Sequence, residues 1–210
     1  MKKITFRIEE DSLGKVKVPK TALYGAQTQR AIDNFKISGD VFPPDFIESL
    51  AALKAACALA NHKAKLMPAT TAKAISSCAL DIHKNIDKYY DQFPIDLYQT
   101  GSGTSTNMNM NEVLATTVSK KLKKKIHPND DINKSQSSND VIPTTINICS
   151  VLLALELNDA LDYFTMKLID KEFEVKDVIK SGRTHLMDAV PLSLSYEIES
   201  WREQIVHCNQ

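Results

Sequence analysis

From Thr144 to about Phe173 the chain contains neither glycine nor proline. At a rise of about 1.5 Å per residue such a run makes a helical rod of roughly 45 Å. Leu153, Leu157, Leu161, Phe164 and Leu168 recur along it at near-heptad spacing, the pattern of a helix that packs in a bundle. Pro143 is read in the first turn, where its missing N–H costs nothing. A rod of this length organises everything around it as a helical scaffold.

Segments on either side keep that character. Ile4 to Ile8 alternates weakly, and Val16 to Val18 reads as a returning strand that Pro19 ends. Tyr24 to Phe35 is helical in pattern. Pro43, Pro44 and Asp45 then open a helix to about Lys65, with Phe46, Leu50, Leu53, Cys57 and Ala60 as its apolar stripe. Pro68 starts another helix with Ile75, Ala79 and Ile82 on one face, and Phe93 to Gln99 is extended. Met110, Leu114, Val118 and Leu122 form the stripe of a further helix. Its carboxyl end carries Lys120, Lys121, Lys123, Lys124 and Lys125, which suit the negative end of the dipole. Beyond the rod, Pro191 is expected to open a last helix bearing Leu194, Ile198, Trp201, Ile205 and Cys208.

Composition narrows the class. Basic and acidic residues balance at 26 each, so no general attraction to nucleic acid or to a membrane surface is expected. Arg7, Glu9, Glu10 and Asp11 interrupt any signal-like apolar core after Lys2 and Lys3. The apolar run from Ile148 to Leu157 is too short to span a bilayer. Cys57, Cys78, Cys149 and Cys208 are widely spaced and are read as buried thiols in a reducing cytoplasm. No metal-ligand spacing occurs, and no metal or cofactor is expected.

Polar chemistry is concentrated in three knots: Thr100 to Asn107, His127 to Asp140, and Ser181 to Asp188. In the first, Gly101 and Gly103 allow close backbone approach while Ser102, Thr104 and Thr106 supply hydroxyls beside a helix amino terminus, a place that suits an anion. Thr106 stands where a dinucleotide fingerprint needs glycine, so that motif fails. Ser137, Ser138 and Asn139 open the rod and are equally an ordinary capping cluster. His185 is the best proton carrier of the third knot, although a lone histidine is more often structural. His127, beside Pro128, is equally a helix-stop residue. Taken singly, each knot has a structural explanation.

Together they resemble a known family. Thr100-Gly101-Ser102-Gly103-Thr104, His127-Pro128-Asn129-Asp130, Ser135-Gln136-Ser137-Ser138-Asn139-Asp140 and Gly182-Arg183-Thr184-His185-Leu186, in this order, resemble class II fumarases of the fumarase/aspartase superfamily. The likeness runs from Arg7 through Tyr24-Gly25-Ala26-Gln27-Thr28-Gln29-Arg30 to the last helix. Aspartases tend to carry Gly-Gly-Ala-Gly-Thr, Asn-Pro-Asn-Asp, Ser-Thr-Asn-Asp and Arg-Thr-Gln at the matching places. Thr100, Ser102, His127, Ser138 and His185 fall on the fumarase side.

The resemblance implies a mainly α fold: a small mixed amino-terminal domain over residues 1–138, then the first long helices of a bundle domain over 139–210. It implies a metal-independent hydratase of the tricarboxylic acid cycle that adds water reversibly to fumarate to give L-malate. Ser102, Thr104, Ser137, Ser138, Asn139 and Thr184 match substrate-binding positions. His185 matches the histidine that handles the proton of the water or hydroxyl. His127, Asn129 and Asp130 match a second dicarboxylate site. Family members are more than twice this length and form homotetramers whose active sites draw on three subunits. They carry a Gly-Ser-Ser-x-Met-Pro loop, absent here, whose serine is taken as the carbon-proton base. The 210 residues alone are therefore expected to be inactive. An aspartase-type ammonia lyase, or a non-catalytic binding or folding module, is the alternative.

Overall fold

A computed structural model of the chain describes residues 5–209. The expected strand start at Ile4, the charged Lys2 and Lys3, and Gln210 lie outside the described residues. The chain forms two compact units, one ending at Cys149 and the other beginning at Ser150.

In the first unit, β1 (Phe6–Asp11) and β2 (Gly14–Pro19) pair antiparallel, with Arg7 opposite Val18 and Asp11 opposite Gly14. Arg7 fastens this hairpin to the chain that leaves it. Its Nη1 donates to the carbonyls of Pro19 and Ala22 at 2.8 and 2.7 Å, and its Nη2 to that of Tyr24 at 2.7 Å. Helix α1 (Ala26–Asn34) follows and has no side-chain cap of its own. Glu112, from a distant helix, supplies one. Its carboxylate accepts the N–H groups of Gly25, Gln27 and Thr28 at 2.9, 3.0 and 3.1 Å and the Thr28 hydroxyl at 2.6 Å. Negative charge there also suits the helix dipole.

Helices α2 (Pro44–Lys63) and α3 (Ala69–Lys84) pack together, each opened by a proline-led cap. Ile75, Ala79 and Ile82 of α3 are buried as the spacing predicts. The buried face of α2 differs from the expected stripe. Phe46 and Leu50 are buried, but Leu53 and Cys57 are half-buried and Ala60 is exposed. Ile47, Ala51, Lys54, Ala55 and Ala58 complete the inner face instead. A lysine at its centre hid that face from an apolar reading. Helix α4 (Thr104–Leu122) runs through the core and is buried at every position from Thr106 to Ala115.

Ahead of α4, Asp96 ties down the extended segment. Its carboxylate accepts the backbone N–H groups of Ile37, Ser38, Gly39 and Tyr98 and the Ser38 hydroxyl. Val41 forms a bridge with Asp96. A carboxylate surrounded by donors holds its charge readily.

Helix α5 (Ser138–Glu174) is the expected rod, with 37 residues. Pro143 lies inside it, beyond the first turn, since the helix already starts at Ser138. The missing N–H leaves the Asn139 carbonyl without its helical donor, a tolerable loss near a helix end. The apolar stretch of α5 is longer than Ile148 to Leu157. An 18-residue window reaches a mean hydropathy of 1.5 with 22% of it buried, so by length and composition alone the helix is able to cross a bilayer. The same properties mark the core helix of a soluble bundle.

In the second unit the rod is followed by strands. β3 (Ile179–Thr184) and β4 (Met187–Ser193) form an antiparallel hairpin with a bulge between Ser181 and Arg183. Pro191 therefore opens no helix. It pairs with Ser181 in β4, and a two-stranded ribbon tolerates proline because each strand is an edge. Helix α6 (Leu194–Cys208) begins after Ser193, whose hydroxyl accepts the Ser195 N–H. Leu168 and Ile198 are buried within this unit, and Arg202 bonds Glu172 at 2.7 Å. Of the thiols expected to be buried, only Cys149 is so; Cys57 and Cys78 are half-buried and Cys208 is exposed.

The donors around Asp96, that of Gly39 foremost, hold its carboxyl well below the usual carboxylate range. A depressed folded-state value adds stability above the unfolded value near 3.9, and that stability is lost as pH falls through the folded value. Melting temperature should accordingly drop as pH is lowered below about 4. Asp96→Asn should reduce this contribution to the drop and lower the melting temperature at neutral pH, which calorimetry across pH will show.

Candidate active site

The first knot is a turn that delivers the chain into α4. The Gly103 N–H donates to the Thr100 carbonyl at 2.9 Å, and Gly103 then caps the helix with a left-handed φ of 64°. Gln99 braces the opening turn: its Oε1 accepts the Thr106 N–H at 2.8 Å, and its Nε2 donates to the Thr106 hydroxyl at 2.6 Å. The second knot delivers the chain into α5 in a similar way. Ser137 takes the capping role, its hydroxyl accepting the Asn139 N–H at 3.2 Å.

These two amino termini meet. The Ser102 and Thr104 hydroxyls lie 2.8 Å apart, and Thr104 Oγ1 lies 2.9 Å from Ser138 Oγ. Three expected substrate-binding side chains thus form one continuous hydroxyl chain, with Ser137 and Asn139 adjoining it in sequence. Two positive helix ends and three rotatable donors converge on this place, which suits a carboxylate. Ser102 and Thr104 are exposed and Ser138 half-buried, so a ligand has access. A hollow of about 430 Å³, lined in part by Thr100, Ser105, Arg30 and Leu13, opens beside the first knot. A separate cavity of about 690 Å³ is lined by Ser77, Asp81, Lys84, Tyr89, Thr117 and Lys121, among others. Thr117 stands about 20 Å along α4 from Thr104, so that cavity is not part of the hydroxyl site.

His127, Asn129 and Asp130 lie on a π-helical turn, Pro128–Ile132. The imidazole Nδ1 accepts the N–H groups of Asn129 and Asp130 at 3.3 and 3.2 Å, while the His127 N–H donates to Asp131 at 2.8 Å. Nδ1 also lies 3.2 Å from the Asp130 carboxylate, a pairing that requires a proton on Nδ1. One nitrogen cannot accept and donate at once. The capping arrangement satisfies two amides, whereas the exposed ion pair is screened by solvent, and capping is the better description.

Thr184 and His185 occupy the tip of the hairpin in the second unit. His185 and Leu186 both have positive φ, 50° and 59°, forming a two-residue turn without the glycine such turns favour. Gly182 sits at the bulge, where a Cβ would come within 2.9 Å of the Val190 carbonyl oxygen. The hairpin presents His185 to solvent. Among the described residues no group of three His, Cys, Asp or Glu side chains is arranged to hold a metal ion.

Residues 14–210 match the lyase family. The chain belongs to that family. Over 203 residues it is 49% identical to a class II fumarate hydratase of Xylella fastidiosa, covering 96% of this chain and 42% of that protein. The structure of recombinant class II fumarase from Schistosoma mansoni matches with a TM-score of 0.90 at 36% identity, over 97% of this chain and 44% of that one. A fumarate lyase:delta crystallin from Brucella melitensis matches with a TM-score of 0.91 at 38% identity, over 98% of this chain and 49% of that one. The chain thus spans less than half the length of these relatives and corresponds to their amino-terminal portion. Its mainly α architecture is that of the fumarase/aspartase fold.

Two groups of the chain were not legible in the motifs. Glu112 is one, and Lys54 is the other. Lys54 is 1% exposed, and its Nζ donates to Asn133 Oδ1 at 3.1 Å and to Gln136 Oε1 at 2.8 Å. Burial pulls its pKa down to about 7. The only available signal was a charged residue on the inner face of an otherwise apolar helix.

Gly103 makes the meeting of α4 and α5 possible. A Cβ at this position would lie 2.9 Å from Cγ1 and Cγ2 of Ile142, and φ is left-handed as well. Gly103→Ala should destabilise the protein by roughly 1–3 kcal/mol through backbone strain and overpacking. It should also separate Thr104 from Ser138. Denaturant melts and a structure of the variant will measure both effects.

Proposed function

We propose that this chain is the amino-terminal, substrate-gripping portion of a fumarate hydratase that interconverts fumarate and L-malate. The observation that carries the reading is the hydroxyl chain Ser102–Thr104–Ser138 at two converging helix amino termini. A dicarboxylate needs dense, preorganised donors, and the reaction makes that need greater. In the dehydration direction a base removes a proton from the carbon next to one carboxylate. The electron pair moves into that carboxylate, giving an aci-carboxylate that carries additional negative charge. The pair then returns to form the double bond while the hydroxyl leaves, protonated, as water. Donors fixed in place beforehand stabilise the charge as it develops.

In this reading Ser102, Thr104, Ser138 and Asn139 grip the carboxylates, Ser137 shapes the turn, and Thr184 contributes a further hydroxyl. His185 carries the proton of the water or hydroxyl. The resemblance to class II fumarases supports that role, and exposure at a hairpin tip leaves the imidazole free to act. In the same reading the carbon-proton base is the serine of the loop that class II fumarases carry, and the working site is that of a metal-independent homotetramer. His127, Asn129 and Asp130 form a subsidiary dicarboxylate site on the π-helical turn. Three non-disulfide thiols at or near the surface fit a reducing cytoplasm. Hydration is preferred over amination because the relatives at 44–49% identity are fumarate hydratases.

For the full-length protein, absorbance from fumarate should rise on adding L-malate and stay flat with L-aspartate. A larger rise with aspartate would replace hydration by amination. His185→Asn should lower turnover by roughly two to four powers of ten, the range for one positioned acid–base group. His127→Asn should cost far less. Equal losses at the two positions would mean that the division of roles is wrong.

A further inference from the structure

Lysine at position 54 is chemically out of place. It sits in the middle of α2 on the face that packs into the core, between the buried Ala51, Ala55 and Ala58. An apolar side chain of similar length would fill that space without burying a charge, and such replacements are often neutral or stabilising. Its two hydrogen-bond partners are neutral amide oxygens, so ion pairing does not explain it. Both partners belong to the short segment that leads into α5.

That segment is cross-braced. Asn133 Oδ1 accepts from Lys54 and also from Asn107 and Asn111 of α4, each at 3.1 Å. Asn133 Nδ2 donates to the Gln136 carbonyl at 3.1 Å, and Gln136 Nε2 donates to the carbonyls of Ile132 and Lys134 at 2.9 and 3.2 Å. Asn61, one further residue of α2, donates to the Lys134 carbonyl at 2.8 Å. Gln136 is followed directly by Ser137 and Ser138, and Ser138 makes the contact with Thr104. Lys54 is therefore two covalently short steps from the hydroxyl chain.

We propose that Lys54 is a positioning residue for the Ser137–Ser138–Asn139 turn, its buried amine holding Asn133 and Gln136 so that the amino terminus of α5 meets that of α4. The inference rests on the reading above that this turn grips the dicarboxylate. Gln136 is the more sensitive of the two links. Asn133 Oδ1 keeps two other donors when Lys54 is removed, whereas Gln136 Oε1 has Lys54 as its hydrogen-bond donor. The lowered pKa of Lys54 agrees with an amine retained in the core for its hydrogen bonds rather than for its charge.

The test uses the full-length protein with Lys54→Met, Gln136→Leu and the double variant. Three quantities are read: hydrogen exchange of residues 133–140, the KM and kcat for L-malate, and the melting temperature. Both single variants should exchange about tenfold faster over 133–140, and KM should rise about ten- to a hundredfold with a smaller change in kcat, as expected when a binding group is displaced. The double variant should lose clearly less than the two single losses combined, because both cut the Lys54–Gln136 link while each also removes bonds of its own. Unchanged protection over 133–140 overturns the proposal. A lower melting temperature with an unchanged KM also overturns it, since that is the signature of a purely structural lysine. Should Lys54→Met fail to fold, Gln136→Leu at a half-buried position decides alone by the same criteria. A wild type that does not turn over L-malate overturns the functional reading instead, and the exchange rates then decide whether Lys54 anchors the turn.

Discussion

The site depends on one close approach. Ile142 of α5 lies against the backbone of α4 at Gly103, closer than any side chain at that position would permit. Because the two helices touch there, their amino termini, each the positive end of a helix dipole, lie side by side. The hydroxyls of Ser102, Thr104 and Ser138 then fall into hydrogen-bond contact without any further device. The left-handed φ of Gly103 turns the chain from the first knot into the helix. A residue with a Cβ would resist both the conformation and the contact, so the anion-binding character of the place traces to a missing side chain.

Helix α4 works as a polar hub within an apolar core. Glu112 caps α1, Asn109 donates to the Gln92 carbonyl at 2.9 Å, and Asn107 and Asn111 hold Asn133. Each of these side chains is buried, and together they secure three separate segments. Burying amides and a carboxylate is unfavourable unless their hydrogen bonds are met. The carboxylate of Glu112 and the Nδ2 groups of the three asparagines meet theirs, while Oδ1 of Asn107 and of Asn111 has no hydrogen-bond partner. Directional bonds of this kind fix a loop in one arrangement, where apolar contacts tolerate sliding. That division explains why the knots, though exposed, have defined shapes. The core supplies the cohesion of the fold, and the polar face of α4 sets the geometry of the site.

What the sequence disclosed follows from the same division. Helices held by periodic apolar residues were legible: α3, the Met110–Val118 face of α4, and the long α5 all stand where spacing placed them. The membership of the hydroxyl chain was legible too, because its residues lie in motifs. The pairings of Glu112 with Gly25 and Thr28 and of Lys54 with Gln136 were not, since partners more than eighty residues apart leave no local periodicity. The β3–β4 hairpin escaped for a different reason. Its turn uses His185 and Leu186 in place of Asn-Gly, its strands are mostly exposed, and Pro191 imitates a helix start. The cost of a non-glycine turn of this kind is commonly borne at functional positions. His185, the candidate proton carrier, occupies one of its two central residues.

The leucine seam of α5 carries the argument one step beyond the hydroxyl chain. Leu153, Leu157 and Phe164 were spaced as bundle residues, yet they are 43%, 56% and 49% exposed, while Leu168 of the same series is buried. A helix that leaves its apolar side chains in water forgoes roughly 1.5–3 kcal/mol for each large one it could bury. Exposure on this scale marks a surface for other protein. Heptad spacing specifies helices as the fitting neighbours, and the chain spans less than half the length of its fumarate hydratase relatives. On the proposed reading such helices belong to the bundle that a fumarate hydratase completes around this seam.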